Sequence, residues 1–386
     1  MDFIDRLQPV FLVGTPKSGT TFLWSLFDSH PSVLPLLEAR AYHAKLDRGA
    51  EDESSVSAAE HYFEPILGRI HPQLDTRRFL VCLERHLRIE KGRIAKCIMA
   101  AMVDALEQSL DAGYLGGVSH LVDKTPQHFE HVSAMLRDFP DAKFVHVLRD
   151  PRDNYLALKR RMTARGGGKA NRDGYHPIIF LGNRLMASLE SAHRNVALYP
   201  DRYRVLFYED LIDEPERVMR QLAEWIGLPW RASLLQPSRF GTPWGGNSVA
   251  PDLRGRLRPF DRRPIGRWKR ELSEREVRVA EEIIRRAGLE DRYPLTRRTA
   301  RWRFAIDIAL PFEGEVRREL RRLVRGSGTL PRRVVRVVRD YLVRRMRVFS
   351  KYGNGSRLAD QPRARSSADT AHLVPRRLAR QLDRPS

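Results

Sequence analysis

The sequence predicts an α/β fold in three layers, a parallel sheet flanked by helices, with a basic helical extension at its C-terminal end. Three observations carry the prediction. Short apolar runs bounded by turn residues alternate with segments of helical periodicity, the pattern of a parallel sheet covered on both faces. Lys17, Lys124 and Arg149, which can do ionic chemistry, each follow such a run, and in these sheets ligands bind beyond the carboxyl ends of the strands. Charge is divided sharply along the chain. From Arg297 onward 24 Lys+Arg face 8 Asp+Glu, a net of +16, so the preceding residues carry only +5 of the total +21.

Val10-Phe11-Leu12-Val13 reads as a buried strand ending at Gly14. Gly19 to Ser29 reads as a helix, with Phe22, Leu23, Leu26 and Phe27 at helical spacing and His30-Pro31 as its stop. Residues 47–60 read as a surface loop entering a helix, and Lys91 to Leu110 as a longer helix. Val118 to Val122 is the second strand, and Gln127 to Arg137 the helix after it. Lys143 to Leu148 is the third strand, Arg152 to Arg165 the next helix, and Gly166-Gly167-Gly168 a flexible break. Residues 177–198 are helical, Tyr203 to Phe207 is the fourth strand, and Pro215 to Ile226 is a helix stopped by Gly227. Residues 237–266, rich in Pro, Gly and Arg, form a long loop of the kind that serves as a lid or binding loop.

The domain reading is a body over residues 1–296, a basic amphipathic helical extension over 297–351 and a disordered tail over 352–386. Cys82 and Cys97 make neither a disulfide framework nor a metal cluster, and read as small buried hydrophobes. The start, Met1 to Arg6, is mixed in charge and lacks a secretory pattern. No segment reaches the ~18–20 apolar residues that span a bilayer.

The strongest local feature is Gly14-Thr15-Pro16-Lys17-Ser18-Gly19-Thr20-Thr21, between a strand and a helix. Free backbone N–H groups at a helix start, with the helix dipole, form an anion site. Gly14 and Gly19 have the separation found in the nucleotide-hydrolase loop, and the expected fold is P-loop NTPase-like. The nucleotide-hydrolase loop, however, has its lysine directly after the second glycine. Here Thr20 occupies that place and the lysine stands three positions earlier, as Lys17, which argues against ordinary Mg²⁺-NTP chemistry.

The run Pro16 to Thr21 resembles the 5′-phosphosulfate loop of the PAPS-dependent sulfotransferase family. Phe144 to Asp153 resembles that family's strand followed by a 3′-phosphate-binding arginine. Val205 to Leu211 resembles its "YEDL" segment, and Ile265-Gly266-Arg267-Trp268-Lys269 its "GxW" segment. The four occur in the family's order. The resemblance implies a transferase that moves a sulfuryl group from 3′-phosphoadenosine-5′-phosphosulfate (PAPS) to an acceptor hydroxyl on a carbohydrate, lipid or glycolipid, without a metal. It implies that Lys17 meets the 5′-phosphate and the bridging oxygen, where negative charge grows as the S–O bond breaks. Pro16, Ser18, Gly19, Thr20 and Thr21 would hold the 5′-phosphate and Arg149 the 3′-phosphate, with Tyr208, Arg263, Gly266 and Arg267 completing the donor set. One departure stands out. The serine usual eight residues after the arginine is Ala157 here. Lys159, Arg160, Arg262, Arg263 or Arg267 are candidates to replace its hydrogen bond, itself worth about 0.5–1.5 kcal/mol net.

The acceptor needs a base. Tyrosylprotein and glycan members place a glutamate at a similar distance after the loop, and His30-Pro31-Ser32-Val33 with Glu38-Ala39-Arg40 matches that context. Glu38 is therefore the first candidate, its alternative being a salt-bridging carboxylate. His128 is the rival base. Lys124 is expected to add a second cation near the sulfuryl group, with Asp123 orienting or capping.

From Arg317 to Arg347 arginines recur at three- and four-residue spacing between Val334, Val335, Val337, Val338, Tyr341, Leu342, Val343 and Met346. This reads either as amphipathic helices lying on an anionic membrane or as a helical pair packed on the body. Nucleic acid is not expected as a partner, because no stacking platform or binding module is present. Golgi members of the family usually carry an N-terminal anchor, whereas this chain begins almost at its first motif. The expected location is cytoplasmic, at or near the inner membrane face. Two other functions compete with sulfuryl transfer on the same fold, a P-loop kinase or NTPase and a non-catalytic membrane or polyanion binder.

Overall fold

The computed structural model describes residues 3–43, 53–90, 92–164, 177–250, 252, 253, 255, 258–296, 300–309, 323, 324 and 329–350. The expected glycine break at 166–168 and the tail over 352–386 lie outside them. In chain order the elements are β1 (Gln8–Gly14), α1 (Thr20–Asp28), β2 (Val33–Leu37), α2 (Glu53–Phe63), α3 (Leu67–Ile70), α4 (Thr76–Ile89), α5 (Ile94–Glu107), α6 (Ala112–Leu115), β3 (His120–Lys124), α7 (Val132–Asp138), β4 (Lys143–Leu148), α8 (Pro151–Ala164) and α9 (Pro177–Leu198). There follow β5 (Tyr203–Phe207), α10 (Tyr208–Asp213), α11 (Pro215–Ile226), the short strands β6 (Ser238–Arg239) and β7 (Thr242–Pro243), α12 (Trp268–Glu271), α13 (Glu274–Arg286), α14 (Arg301–Ala309) and α15 (Leu330–Ser350).

Two compact units divide the chain, one of residues 1–148 and 198–262, the other of 149–197 and 263–386. The first is built on a five-stranded sheet in the order β2-β3-β1-β4-β5, with every pairing parallel. β1 is buried almost throughout, which is why Val10 to Val13 reads as a continuous apolar run rather than an alternating one, and β3 is fully buried although it carries His120, Asp123 and Lys124. From β1 the chain runs to β2, two places to one side of it, and β4, reached from β3, lies on its other side. The strand order therefore switches beside β1, the position at which such sheets open a ligand crevice at their carboxyl edge.

The sequence reading found four of the five strands and overlooked β2. Val33-Leu34-Pro35-Leu36-Leu37 carries an internal proline, which argues against a central strand. β2 is an edge strand, where a proline is tolerated, and four of its five residues are buried. A second difference concerns Asp123 and Lys124, which belong to the end of β3 rather than to the turn after it. The segment after β3 is also not one helix. A 3₁₀ turn over Pro126–Glu130 precedes α7, and His131 separates them. α4 was not anticipated. Asp75 caps it by accepting from the Arg78 N–H at 2.9 Å. Cys82 and Cys97 are buried free thiols.

In the second unit Arg152 ties the helices together. It forms a two-pronged pair with Asp150 (3.0 and 2.8 Å), reaches Glu281 on α13 at 3.0 Å and stacks over the Trp268 ring at 4.0 Å. Among the described residues no helix is long and apolar enough to cross a membrane.

Candidate active site

The phosphate-loop candidate hangs from the carboxyl end of β1. Gly14 pairs in register with Val147 of β4, and a Cβ on Gly14 would stand 2.5 Å from the Val147 carbonyl oxygen. Gly19 has φ +110°, and a Cβ there would meet the Tyr208 ring at 2.3 Å. Glycine at these two places lets the loop close tightly against β4 and α10. Lys17 lies between them in a left-handed conformation, φ +70°, uncommon for a residue with a side chain. Its ammonium reaches the Asn247 side-chain oxygen at 3.3 Å, which brings the long Pro/Gly/Arg-rich loop to the lysine.

Gly19 offers α1 no side-chain cap, so the first N–H groups of the helix have no side chain from that position to satisfy them. Thr15 Oγ1 and Ser18 Oγ are both buried without a hydrogen-bond partner among the described residues. Buried hydroxyls are normally satisfied. Two orphans, an uncapped helix start and a lysine in one turn match what a bound phosphate or sulfate would complete. Thr20 is buried and Thr21 half-buried at that same helix start.

A second cluster forms where β2 and β3 end together. Leu37 lies in register with Lys124, so the next residue, Glu38, emerges beside the lysine. The Glu38 N–H donates to the Lys124 carbonyl at 3.0 Å, and Lys124 Nζ donates to Glu38 Oε1 at 2.8 Å. Arg40 Nη2 holds the other carboxylate oxygen at 2.5 Å. Burial on its own would raise the Glu38 carboxyl. The charge and hydrogen bond of Lys124, with Arg40 added, outweigh it and hold Glu38 at about 2. Lys124 is 2% exposed, and that burial lowers its own pKa against the pull of Glu38.

Glu38 and Arg40 both have positive φ, +62° and +56°, a strained turn that needs outside support. Asp123 supplies it. The fully buried carboxylate accepts from the Ala39 N–H at 3.0 Å and from Thr125 Oγ1 at 3.2 Å, and Thr125 Oγ1 accepts from the Arg40 N–H at 3.3 Å. Asp123→Ala should therefore loosen the Glu38 turn, since a single carboxylate oxygen, Oδ1, accepts both bonds and alanine removes it. The expected result is a kcat fall of about 10-fold with the donor KM nearly unchanged; an equal rise in KM would point to a collapsed site instead.

His128 is placed differently from Glu38. It is fully buried, enclosed by the rings of Phe11, Tyr42 and His43 at centroid distances of 6.4, 5.5 and 5.2 Å. Its Nδ1 lies 3.2 Å from Asp123 Oδ2, near enough for charge but without the angle of a hydrogen bond.

In the second unit Arg149 Nη2 donates to the Pro264 carbonyl at 2.7 Å. Asp153 accepts from the N–H groups of Gly266 (2.6 Å) and Trp268 (3.1 Å), so the motif after β4 holds the Gly-Arg-Trp segment by its backbone. Gly266 is left-handed there, φ +73°. Three of the cations considered as substitutes for the serine missing at Ala157 are engaged with carboxylates. Lys159 meets Glu276 at 2.8 Å, Arg267 meets Glu271 at 2.8 Å, and Arg160 meets Glu271 as well. In the first unit Arg262 pairs with Asp213 at 2.8 Å. Arg263 lies in the turn before Gly266.

Sequence reading missed Asn247 and the aromatic cluster of Phe22, Trp244 and Phe260, with Phe22 centroids 6.4 and 5.4 Å from the other two. No local signal marks either, since each partnership joins residues more than two hundred positions apart.

A strand–loop–helix turn at the carboxyl edge of a parallel sheet, with Glu38 and Lys124 paired at the same edge, defines an α/β fold of the P-loop-like class. The profile of the sulfotransferase family matches residues 9–232, and the chain belongs to that family. It is 26% identical over 267 residues to an uncharacterized protein of Aquifex aeolicus, covering 68% of this chain and 30% of that one. It is 24% identical over 233 residues to a protein-tyrosine sulfotransferase of Drosophila melanogaster, covering 60% and 40%. The chain thus spans less than half the length of these two relatives. Among solved structures, the sulfotransferase domain of the Synechococcus PCC 7002 olefin synthase aligns with a TM-score of 0.45 at 18% identity, over 72% of this chain and 94% of that one.

Proposed function

We propose that the chain transfers a sulfuryl group from PAPS to the hydroxyl of a carbohydrate, lipid or glycolipid. The observation that carries this reading is the loop itself, in which Lys17 is held in a left-handed turn between two buried, unpartnered hydroxyls at an uncapped helix start. A lysine inside the loop suits a reaction whose leaving oxygen is the one bridging sulfur to the 5′-phosphate. The acceptor oxygen forms its bond to sulfur, the bridging S–O bond breaks, and the electron pair stays on the 5′-phosphate opposite Lys17. The acceptor proton passes to Glu38, which Lys124 and Arg40 keep ionised and oriented.

Glu38 is favoured over His128 as base because its carboxylate is 37% exposed, whereas the imidazole is wholly enclosed. Ser18, Gly19, Thr20 and Thr21 take the 5′-phosphate, with Pro16 shaping the turn. Arg149, one residue past β4, takes the 3′-phosphate, and Tyr208, Arg263, Gly266 and Arg267 complete the donor set. No residue in this scheme requires a metal.

Calorimetric titration tests the reading. 3′-Phosphoadenosine 5′-phosphate should bind in the presence of a chelator, and ATP should bind at least 10-fold more weakly with or without Mg²⁺. Preference for Mg²⁺-ATP would establish a kinase or NTPase, and failure to bind either nucleotide would leave a non-catalytic fold.

A further inference from the structure

The basic helix α15 has a face that its own unit leaves in water. Between Leu330 and Ser350 it carries seven arginines and one acid, Asp340, a net of +6. Arg333 anchors the helix by donating to the carbonyls of Leu323 (2.9 Å) and Val324 (3.2 Å). Val337 and Tyr341 are half-buried, and α14 touches the helix. Val334, Val338 and Leu342, four residues apart and so on one face, are exposed by 39, 49 and 41%, and the neighbouring Val335 by 67%. Arg332, Arg336 and Arg339 recur at the same kind of spacing around the other side. Val343 interrupts that basic stripe, and Arg345 falls at a position on the apolar one. α14 adds two more exposed apolar residues one turn apart, Trp302 at 66% and Ile306 at 47%.

We infer that α15 lies in the surface of a bilayer containing anionic lipid, with Val334, Val335, Val338 and Leu342 in the acyl boundary and its arginines at the headgroups. The charge decides among possible occupants. A second copy of the chain would bring one helix of net charge +6 against another, a like-charge contact that disfavours association. A nucleic acid would satisfy the arginines and leave the valines in water. An anionic lipid surface takes both faces at once, with apolar burial and headgroup attraction acting together. Trp302 suits the same boundary, where an amphipathic ring has an apolar body and a polar edge to place.

Flotation of the full chain with vesicles tests this. It should rise with vesicles of phosphatidylcholine containing about one third phosphatidylglycerol, and stay down with phosphatidylcholine alone. Binding should fall as salt is raised. The triple variant Val335→Ser, Val338→Ser, Leu342→Ser keeps every charge and should lose about 10-fold or more of vesicle binding, with its melting temperature unchanged. Arg332→Gln, Arg336→Gln, Arg339→Gln should lose as much by the other route. The inference is overturned if the serine variant binds anionic vesicles like the parent, if neutral vesicles bind equally well, or if the chain binds duplex DNA or RNA while ignoring both vesicle types. A variant that melts lower than the parent is replaced by the single change Val335→Ser at the most exposed position, which should still lose about threefold.

Discussion

Lys17→Ala should lower kcat for sulfuryl transfer by about 10²–10³, the loss seen when one donor to a developing anion is removed. Alanine keeps the Cβ, so the strain of φ +70° is the same in both proteins and does not enter the difference. The hydrogen bond to Asn247 is lost too, but it is a 3.3 Å contact at an exposed position and contributes little. Binding of 3′-phosphoadenosine 5′-phosphate should weaken far less than kcat falls. A cation aimed at the bridging oxygen is worth more once that oxygen has taken up charge than while it is still bonded to sulfur. Single-turnover rates beside product-binding titrations separate the two effects. An unchanged single-turnover rate would remove Lys17 from the chemistry, and equal losses in rate and affinity would reduce it to a phosphate anchor.

Glu38→Gln should lower kcat by about 10²–10⁴ by removing the proton acceptor while nearly preserving shape. The same change should destabilise the fold by about 1–2 kcal/mol at neutral pH, because Lys124 is left buried without its anion. The sign of the pH dependence follows from the direction of the Glu38 shift. Its folded pKa, about 2, lies below the ordinary 4.5, so the pair stabilises the protein fully above pH 4.5 and loses that contribution as pH falls towards 2. The stability gap between parent and variant should thus be widest at neutral pH and close in acid. Kinetically, a base that is ionised at every accessible pH puts no acidic limb on kcat/KM between pH 5 and 7. An imidazole base would put one there. Paired denaturation curves across pH, together with the kcat/KM profile, test both parts. A stability gap that widens in acid would contradict the ion pair.

The low pKa of Glu38 has a mechanistic consequence. A carboxylate held near 2 is always charged but is a weak base, so in the proposed transfer a proton would pass to it favourably only as the acceptor oxygen bonds to sulfur and turns acidic. Lys124 and Arg40 thereby exchange basicity for certainty of protonation state and for orientation.

Much of the architecture was readable in one dimension. β4, β5, α9 and α11 begin and end where pattern and capping residues place them, because buried parallel strands are mostly apolar and Gly227 provides a left-handed stop, φ +79°. The turn from Gly14 to Thr21 between β1 and α1 was equally legible, since its glycines, lysine and hydroxyls are contiguous. β2 was not, because Pro35 looks like a strand breaker until the strand is known to lie at the edge.

The Glu38–Lys124 cluster depended on that strand. Glu38 and Lys124 are 86 residues apart, and neither composition nor spacing joins them. They meet because β2 pairs with β3 in a register that sets Leu37 beside Lys124, and a shift of one residue would turn these side chains to the opposite face of the sheet. Residue types and local turns were thus determined by the sequence itself. Which carboxylate faces which ammonium, and that His128 is sealed away from both, was decided by strand order and register, because pairing between distant strands is a property of the folded sheet and not of any one segment.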